Sequence, residues 1–253
     1  GSFLTVDPDY RGQRIAQRMQ QEFIRRHRKH GAAVNFGFLY RRSRKSMGPK
    51  FWLKQPEETV GAIRRASMWM RALDHGAVAR FEINRSEAWG TRLLSFVQRR
   101  PKAPHNLDGI RSYRATDLLP CLQLTHEVGG EADLAYLWDP VTLQSQLQYP
   151  GLSNTVVGEE GGKIRGFVNY TLFPILGKTI LTLAIMDIVA LASDCPRELR
   201  QRLIKAALHE MFREGAHAVV MLRNSHPGWR EMLGAGFFPM MPEYDYCGTR
   251  MQE

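Results

Sequence analysis

Strand, loop, helix, strand is an order that occurs twice in this chain, at 3–40 and again at 179–223, and it confines the fold to a mixed α/β class. The first copy opens on the apolar run 3–6 and breaks at Asp7-Pro8-Asp9. It then enters an amphipathic helix, about Gly12 to His30, through the basic loop Tyr10-Arg11-Gly12-Gln13-Arg14. Ile15, Met19 and Phe23 repeat every four residues, with Ala16 and Ile24 widening the stripe. The closing run "RRHRKH" suits the negative end of the helix dipole, and Gly31 suits the left-handed residue that follows. "AAVNFGFLY" at 32–40 reads as a buried strand.

The second copy is preceded by elements that the first lacks. "IRSYRATDLLPCLQLTHEV" predicts a strand and a helix capped by Thr116 or Asp117; residues 131–148 predict another helix, with Leu137 and Trp138 to pack. "TVVGEEGGKIRGFVNYTLF" predicts a hairpin turning at Glu159-Glu160-Gly161-Gly162. After the strand "TILTLAIMDIVAL" comes a helix with Asp194 as cap, Pro196 in its first turn and Leu199, Leu203, Ala206, Ala207 and Met211 on one face. "HAVVMLRN" is a strand, and "PGWREMLGAGFF" gives a short helix and the start of a last strand ending near Cys247. Between the copies, the pattern predicts a helix over Pro56–Leu73, where Ala66 and Met70, and Trp69 and Leu73, stand at i+4 as core. A strand at Ala77–Ile83 and a helix at Ser86–Val97 follow. The loop "RRPKAPHNLDG" is the boundary, which gives domains 1–107 and 108–253.

Charge narrows the partners. Residues 1–50 hold 12 Lys and Arg against 3 Asp and Glu, so +9 of the net +10 sits around one loop. That concentration points to a local anionic ligand and away from nucleic acid, and "RRHRKH" carries no interleaved aromatics for base stacking. "RRSRK" at 41–45 either approaches such an anion or is a surface loop. Cys121, Cys195 and Cys247 lack disulfide or zinc spacing, and the eight His form no ligand pair, so no metal is expected. No apolar run approaches the ~18 residues of a membrane span and no secretory leader stands at the start. A reduced, cytoplasmic protein is the expectation.

A loop that leads from a strand into a helix start presents unpaired backbone N–H groups and a positive dipole end to one point. Gly12 permits close approach, and Arg11 and Arg14 add phosphate-binding cations. Neither GxxxxGK[ST] nor GxGxxG is present, which excludes the Walker and Rossmann loops. "FLTVDPDYRGQRIAQRM" resembles the acyl-CoA signature of the GNAT superfamily of N-acetyltransferases, V-x-P-x-[YFW]-R-G-x-G-[IL]-[GA]. Val6, Pro8, Tyr10, Arg11, Gly12, Ile15 and Ala16 match, and Arg14 stands where the superfamily has Gly. The resemblance implies two GNAT-like domains, each a mixed twisted sheet flanked by helices. The first would hold acetyl-CoA or another acyl-CoA at Leu4, Thr5, Val6, Arg11, Gly12, Gln13, Arg14, Ile15 and Ala16. The second would be degenerate, because "ALASDCPRELRQRL" lacks the R-G-x-G spacing and carries Asp194 and Pro196.

Such a build resembles that of N-myristoyltransferases too, whose loop similarly carries Phe-Leu and a second Arg. A first half of this kind needs strands and helices before residue 3, expected upstream of Gly1 or from another chain. The implied activity is a transferase reaction: acyl transfer, acetyl first, to a small-molecule or peptide amine, by direct attack on the thioester. A non-catalytic CoA-binding module and a longer-chain N-acyltransferase are the alternatives. No general base or acid is assigned. Tyr40 ends the second strand, earlier than the superfamily's thiolate-protonating Tyr, and reads as structural. Asp187 and Asp245 lie in apolar or aromatic stretches, where burial would raise a carboxyl toward a base or a local hydrogen bond would occupy it.

Overall fold

A computed structural model describes residues 6–31, 34–40, 60–81, 85–98, 100–132, 135–223, 226–240 and 244–250. The chain divides into two compact units, 1–67 with 241–253, and 68–240. This division by packing is not the division at 107/108, because residues 68–97 pack into the second unit and the last strand pairs in the first.

The first unit holds helix α1 (Ile15–Lys29) and strands β1 (Val34–Tyr40), β2 (Val60–Ala66) and β10 (Tyr244–Arg250). β10 lies between β1 and β2, antiparallel to both. Helix α1 matches the expected span but turns differently about its axis: Gln20 is buried and Met19 is 52% exposed. The inward stripe therefore follows Ala16, Gln20, Phe23 and Ile24, with Met19 left outside it. His30 N–H closes back on Arg26 O at 3.1 Å, and Gly31, at φ 74, ends the helix as its sequence implied.

The second unit is built on a seven-stranded sheet in the order β4-β5-β6-β7-β8-β3-β9. The strands are β3 (Met68–Ala72), β4 (Ile110–Ser112), β5 (Ser153–Glu160), β6 (Lys163–Leu176), β7 (Ile180–Leu191), β8 (Ala218–Leu222) and β9 (Phe238–Pro239). All neighbours are antiparallel except β7 and β8, whose parallel pairing needs a crossover, supplied by α6 (Arg197–Arg213). Leu203, Ile204, Ala207, Leu208 and Met211 of α6 pack on Val156, Val168, Ala184 and Met186 of the sheet. Each such fully buried large aliphatic side chain contributes roughly 1.5–3 kcal/mol. The opposite face is covered by α4 (Leu118–Gly130) and α5 (Pro140–Leu147), whose Cys121, Leu124, Leu143 and Leu147 meet Val157, Phe167 and Ala190. Val78 of α2 (His75–Phe81) covers Leu181 and Ala218 further along. Helices α3 (Arg85–Val97) and α7 (Trp229–Gly234) complete the unit.

The β5–β6 hairpin turns as expected, through Gly161 and Gly162 at φ 58 and 74, the two left-handed residues of a tight primed turn. Several expectations are corrected. Residues 56–73 do not form one helix: β2 and β3 occupy 60–66 and 68–72, and the expected strand at Ala77–Ile83 is α2 over its described part. Trp69 and Leu73 are core as expected, at 2% and 0% exposure, but from a strand and the turn after it. Among the described residues of 131–148 only Pro140–Leu147 is helical, capped by Asp139 Oδ1, which accepts from the Val141 and Thr142 N–H groups at 3.0 Å. Trp138 packs, but Leu137 is exposed. Asp194 does not cap α6; it takes Arg165 Nη1 at 2.6 Å instead. Asp117 does not cap α4 with its side chain, but accepts from Arg114 N–H at 2.7 Å, closing the turn before the helix.

Candidate functional site

The loop that enters α1 is ordered by its own polar groups. Asp7 Oδ1 accepts from Asp9 N–H at 3.0 Å, and Asp7 O accepts from Tyr10 N–H at 3.0 Å, winding Pro8–Tyr10 into a 3₁₀ turn. Gly12 at φ 84 and Arg14 at φ 57 are both left-handed, so the backbone reverses twice within three residues before the helix starts. Beyond its chain neighbours, no described residue lies within 4 Å of where a Gly12 side chain would begin, and its φ of 84 is the reason glycine suits the position.

The first intrahelical bond runs from Arg18 N–H to Arg14 O at 3.0 Å, and Arg14 makes no side-chain cap. The N–H groups of Ile15, Ala16 and Gln17 therefore have no acceptor within the helix, and no acid stands in its first turn. Arg11 Nε donates to Val6 O at 3.2 Å, which folds its guanidinium back across the loop. Arg11, Gly12, Gln13 and Arg14 are all exposed. Three N–H donors with no intrahelical acceptor, the positive end of a helix of 15 residues and two exposed guanidinium groups converge on one short segment. Of the expected site, Val6 and Arg11 to Ala16 are brought together here, while Leu4 and Thr5 lie outside the described residues, as does the basic segment 41–45.

The corresponding position of the second copy is built differently. Pro196, which has no N–H, stands at the N-cap of α6. Arg200 fills the space ahead of the helix with its own side chain: Nε donates to Cys195 O at 2.8 Å, and Nη2 to Ala192 O at 3.0 Å and Ser193 O at 2.7 Å. The cradle there holds a guanidinium that reaches forward from within the helix, whereas at the start of α1 the one described guanidinium bond is from Arg11, in the loop, to Val6 O. Sequence reasoning found Asp194 and Pro196 there but missed Arg200, whose only signal was its place four residues after the proline.

Among the candidate titrating residues, the side chains of Tyr40 and Asp245 lie outside the described residues. Asp187 is described: its carboxyl Oδ2 accepts from Thr171 Oγ1 at 2.6 Å. Desolvation pushes it above the usual carboxylate range, opposed by the bonds from Thr171 and Gln146. No group of three or more His, Cys, Asp or Glu among the described residues could hold a metal ion. No helix among them is long and apolar enough to cross a membrane.

A mixed twisted sheet flanked by helices, with one parallel pair joined through a crossover helix, is a GNAT-like fold. More particularly, the chain has the fold seen in N-myristoyltransferase. It is similar to a Saccharomyces cerevisiae N-myristoyltransferase with bound myristoyl-CoA, at TM-score 0.70 and 13% identity over 97% of this chain and 60% of that one. A second structure of that enzyme, with myristoyl-CoA and inhibitors, gives 0.68 and 13% over 98% of this chain and 59% of that one. The chain thus spans about three fifths of the length of these enzymes. A GCN5-related N-acetyltransferase from Sphaerobacter thermophilus matches at TM-score 0.49 and 16% identity over 98% of this chain and 71% of that one, too loosely to add to the comparison. No family model and no curated protein matches the sequence.

Proposed function

We propose that this chain binds an acyl-CoA through residues 4–16 and serves the transfer of its acyl group to an amine. The observation that carries the reading is the start of α1, where the Ile15, Ala16 and Gln17 N–H groups have no acceptor among the described residues and Arg11 and Arg14 are exposed beside them. Those groups fit a pyrophosphate: donors aimed from a helix start, two forked cations and no acid in the first turn of the helix. The Arg200 plug at the equivalent place in the second half supports one CoA site in a tandem build divided at 107/108.

When bound, the thioester supplies an activated acyl carbon. Transfer requires the acceptor nitrogen to bond to that carbon while the C–S bond breaks, the nitrogen's proton passing to a base and the sulfur leaving as a thiol. The chain's part is to hold the anionic end at Arg11 to Ala16, with the backbone of Leu4 to Val6 in reach of the thioester as the resemblance implies. Likeness to a myristoyl-CoA-bound fold over nearly the whole chain favours a long acyl chain over acetyl.

Calorimetry with CoA, acetyl-CoA and myristoyl-CoA tests the reading, alongside Arg11→Glu and Gly12→Trp. Both variants are expected to weaken all three ligands by tenfold or more, about 1.4 kcal/mol. Undiminished binding in both would remove the loop from the site, and tightest binding of acetyl-CoA would overturn the long-chain assignment. Release of free thiol on adding peptide amines separates an enzyme from a non-catalytic CoA-binding module.

A further inference from the structure

The second unit carries a carboxylate, Asp187, with no cation paired to it among the described residues. β6 and β7 slip register at one point: Asn169 faces Ile188 while the next residue, Tyr170, faces Met186. Asp187 is the extra residue of that bulge, left outside the ladder. The two helical layers on this face of the sheet also part there. Leu181 and Leu183 of β7 pack in the cluster under α2, and Ile188, Ala190 and Ala192 in the cluster under α4 and α5. Ile185 and Asp187 belong to neither, and Asp187 keeps an exposed surface.

The carboxylate is held from behind. Thr171 Oγ1 donates to Oδ2 at 2.6 Å, and the Gln146 amide also bonds the carboxyl. Gln146 is itself fixed, its Nε2 donating to Asn169 Oδ1 at 3.0 Å. Asn169 is fully buried, and its Nδ2, with two hydrogens to donate, lies 2.9–3.2 Å from four acceptors, Gln146 O, Ser153 Oγ, Asn154 O and Thr155 Oγ1. A buried network of this kind sets a carboxylate in one orientation and costs little reorganisation when a ligand arrives. Asp117, Glu159, Asp194 and Glu22 each have an arginine partner. Asp187 has no ion-pair partner among the described residues.

The geometry points to Asp187, with Thr171 and Gln146 orienting it, as a binding site for an alkylammonium group, such as a lysine side chain or another primary amine. A compact ammonium fits better than a guanidinium, because two donors already occupy the carboxyl and leave no clear edge for two parallel bonds. All parts of the site lie in the second unit, so the assignment stands without the acyl-CoA reading.

NMR titration of the full chain with N-acetyl-lysine methylamide, and with its uncharged norleucine counterpart, tests this. The lysine amide is expected to shift the signals of Thr171, Asp187 and Gln146, and the norleucine amide to leave them in place. Asp187→Asn is expected to weaken the lysine amide about tenfold, with acyl-CoA affinity by calorimetry unchanged. Equal shifts with the two amides, or no shifts with either, would overturn the site. So would a folded Asp187→Asn variant that binds the lysine amide as the parent does. Loss of acyl-CoA binding in the unsubstituted chain would count against the proposed function alone.

Discussion

Arg111 holds Asp117 through two parallel bonds, Nη1 to Oδ2 at 2.7 Å and Nη2 to Oδ1 at 2.9 Å, and the same guanidinium reaches Glu159 Oε2 at 2.9 Å. The fork ties β4, the turn into α4 and the end of β5 to one another. Asp117 is 5% exposed, and the bond from Arg111 holds its carboxyl below the ordinary range. Its folded pKa is therefore lower than its unfolded one, so the stability it adds is complete above about pH 4 and lost as pH falls through the folded value. Thermal melts from neutral to acid pH should show Asp117→Asn less stable by about 2–4 kcal/mol at pH 7, with a flatter decline in acid. Parallel declines would show that this carboxylate does not contribute to acid unfolding.

Arg14 sets stability against binding. Its left-handed backbone, φ 57 and ψ 20, costs an L-residue about 1 kcal/mol. Arg14→Gly removes that cost but adds about 0.4–1 kcal/mol of unfolded-state freedom. Urea melts should therefore place the variant level with the parent or slightly above it. CoA affinity should drop severalfold as a cation leaves the loop. Unchanged affinity would place Arg14 outside the anion's reach.

Two glycines predict opposite signs. A side chain at Gly166 would begin 2.7 Å from Leu191 Cδ2 and 3.1 Å from both Ala190 O and Leu203 Cδ2, so Gly166→Ala should cost about 1–3 kcal/mol. Gly90, inside α3, has open space around it, and Gly90→Ala should gain about 0.5–1 kcal/mol of helix propensity. Denaturant midpoints report both.

Cys121 is fully buried, and burial pushes its thiol up to about 12; Cys195 is raised by the same cause. Iodoacetamide at neutral pH should leave both unmodified in the native protein and label them on unfolding, as read by peptide mass. Fast native labelling of Cys121 would mean that the α4 side of the core opens readily.

The sequence was readable wherever local chemistry had one solution. Gly161-Gly162 after an alternating run allowed only a tight hairpin, and the Leu199–Leu203–Met211 spacing only a helix lying on a sheet. Residues 60–72 misled because Ala66, Met70, Trp69 and Leu73 sit at helical spacing by coincidence. Their structure is decided by partners far away: β3 pairs with Ala218–Leu222 on one side and Phe238–Pro239 on the other. The loop at 6–16 could be read because a helix start, two arginines and a glycine are close in sequence. The Asp187 support could not, since Gln146, Ser153, Asn169 and Thr171 meet only once three strands and a helix have assembled. Its faint trace is "GFVNYTLF", an otherwise apolar strand interrupted by Asn169 and Thr171.

β10 has a further consequence, for the order in which the molecule forms. Val34–Tyr40 and Val60–Ala66 both pair with residues 244–250, which stand between them in the sheet. A growing chain makes these two edges early and must carry them without this partner while roughly 200 further residues are added. The unit at 68–240 contains every strand of its own sheet and is free to close first. Assembly of the three-stranded sheet thus waits for residues 244–250, and a product released short of Tyr244 would carry two strand edges without that partner, ready to pair with other chains.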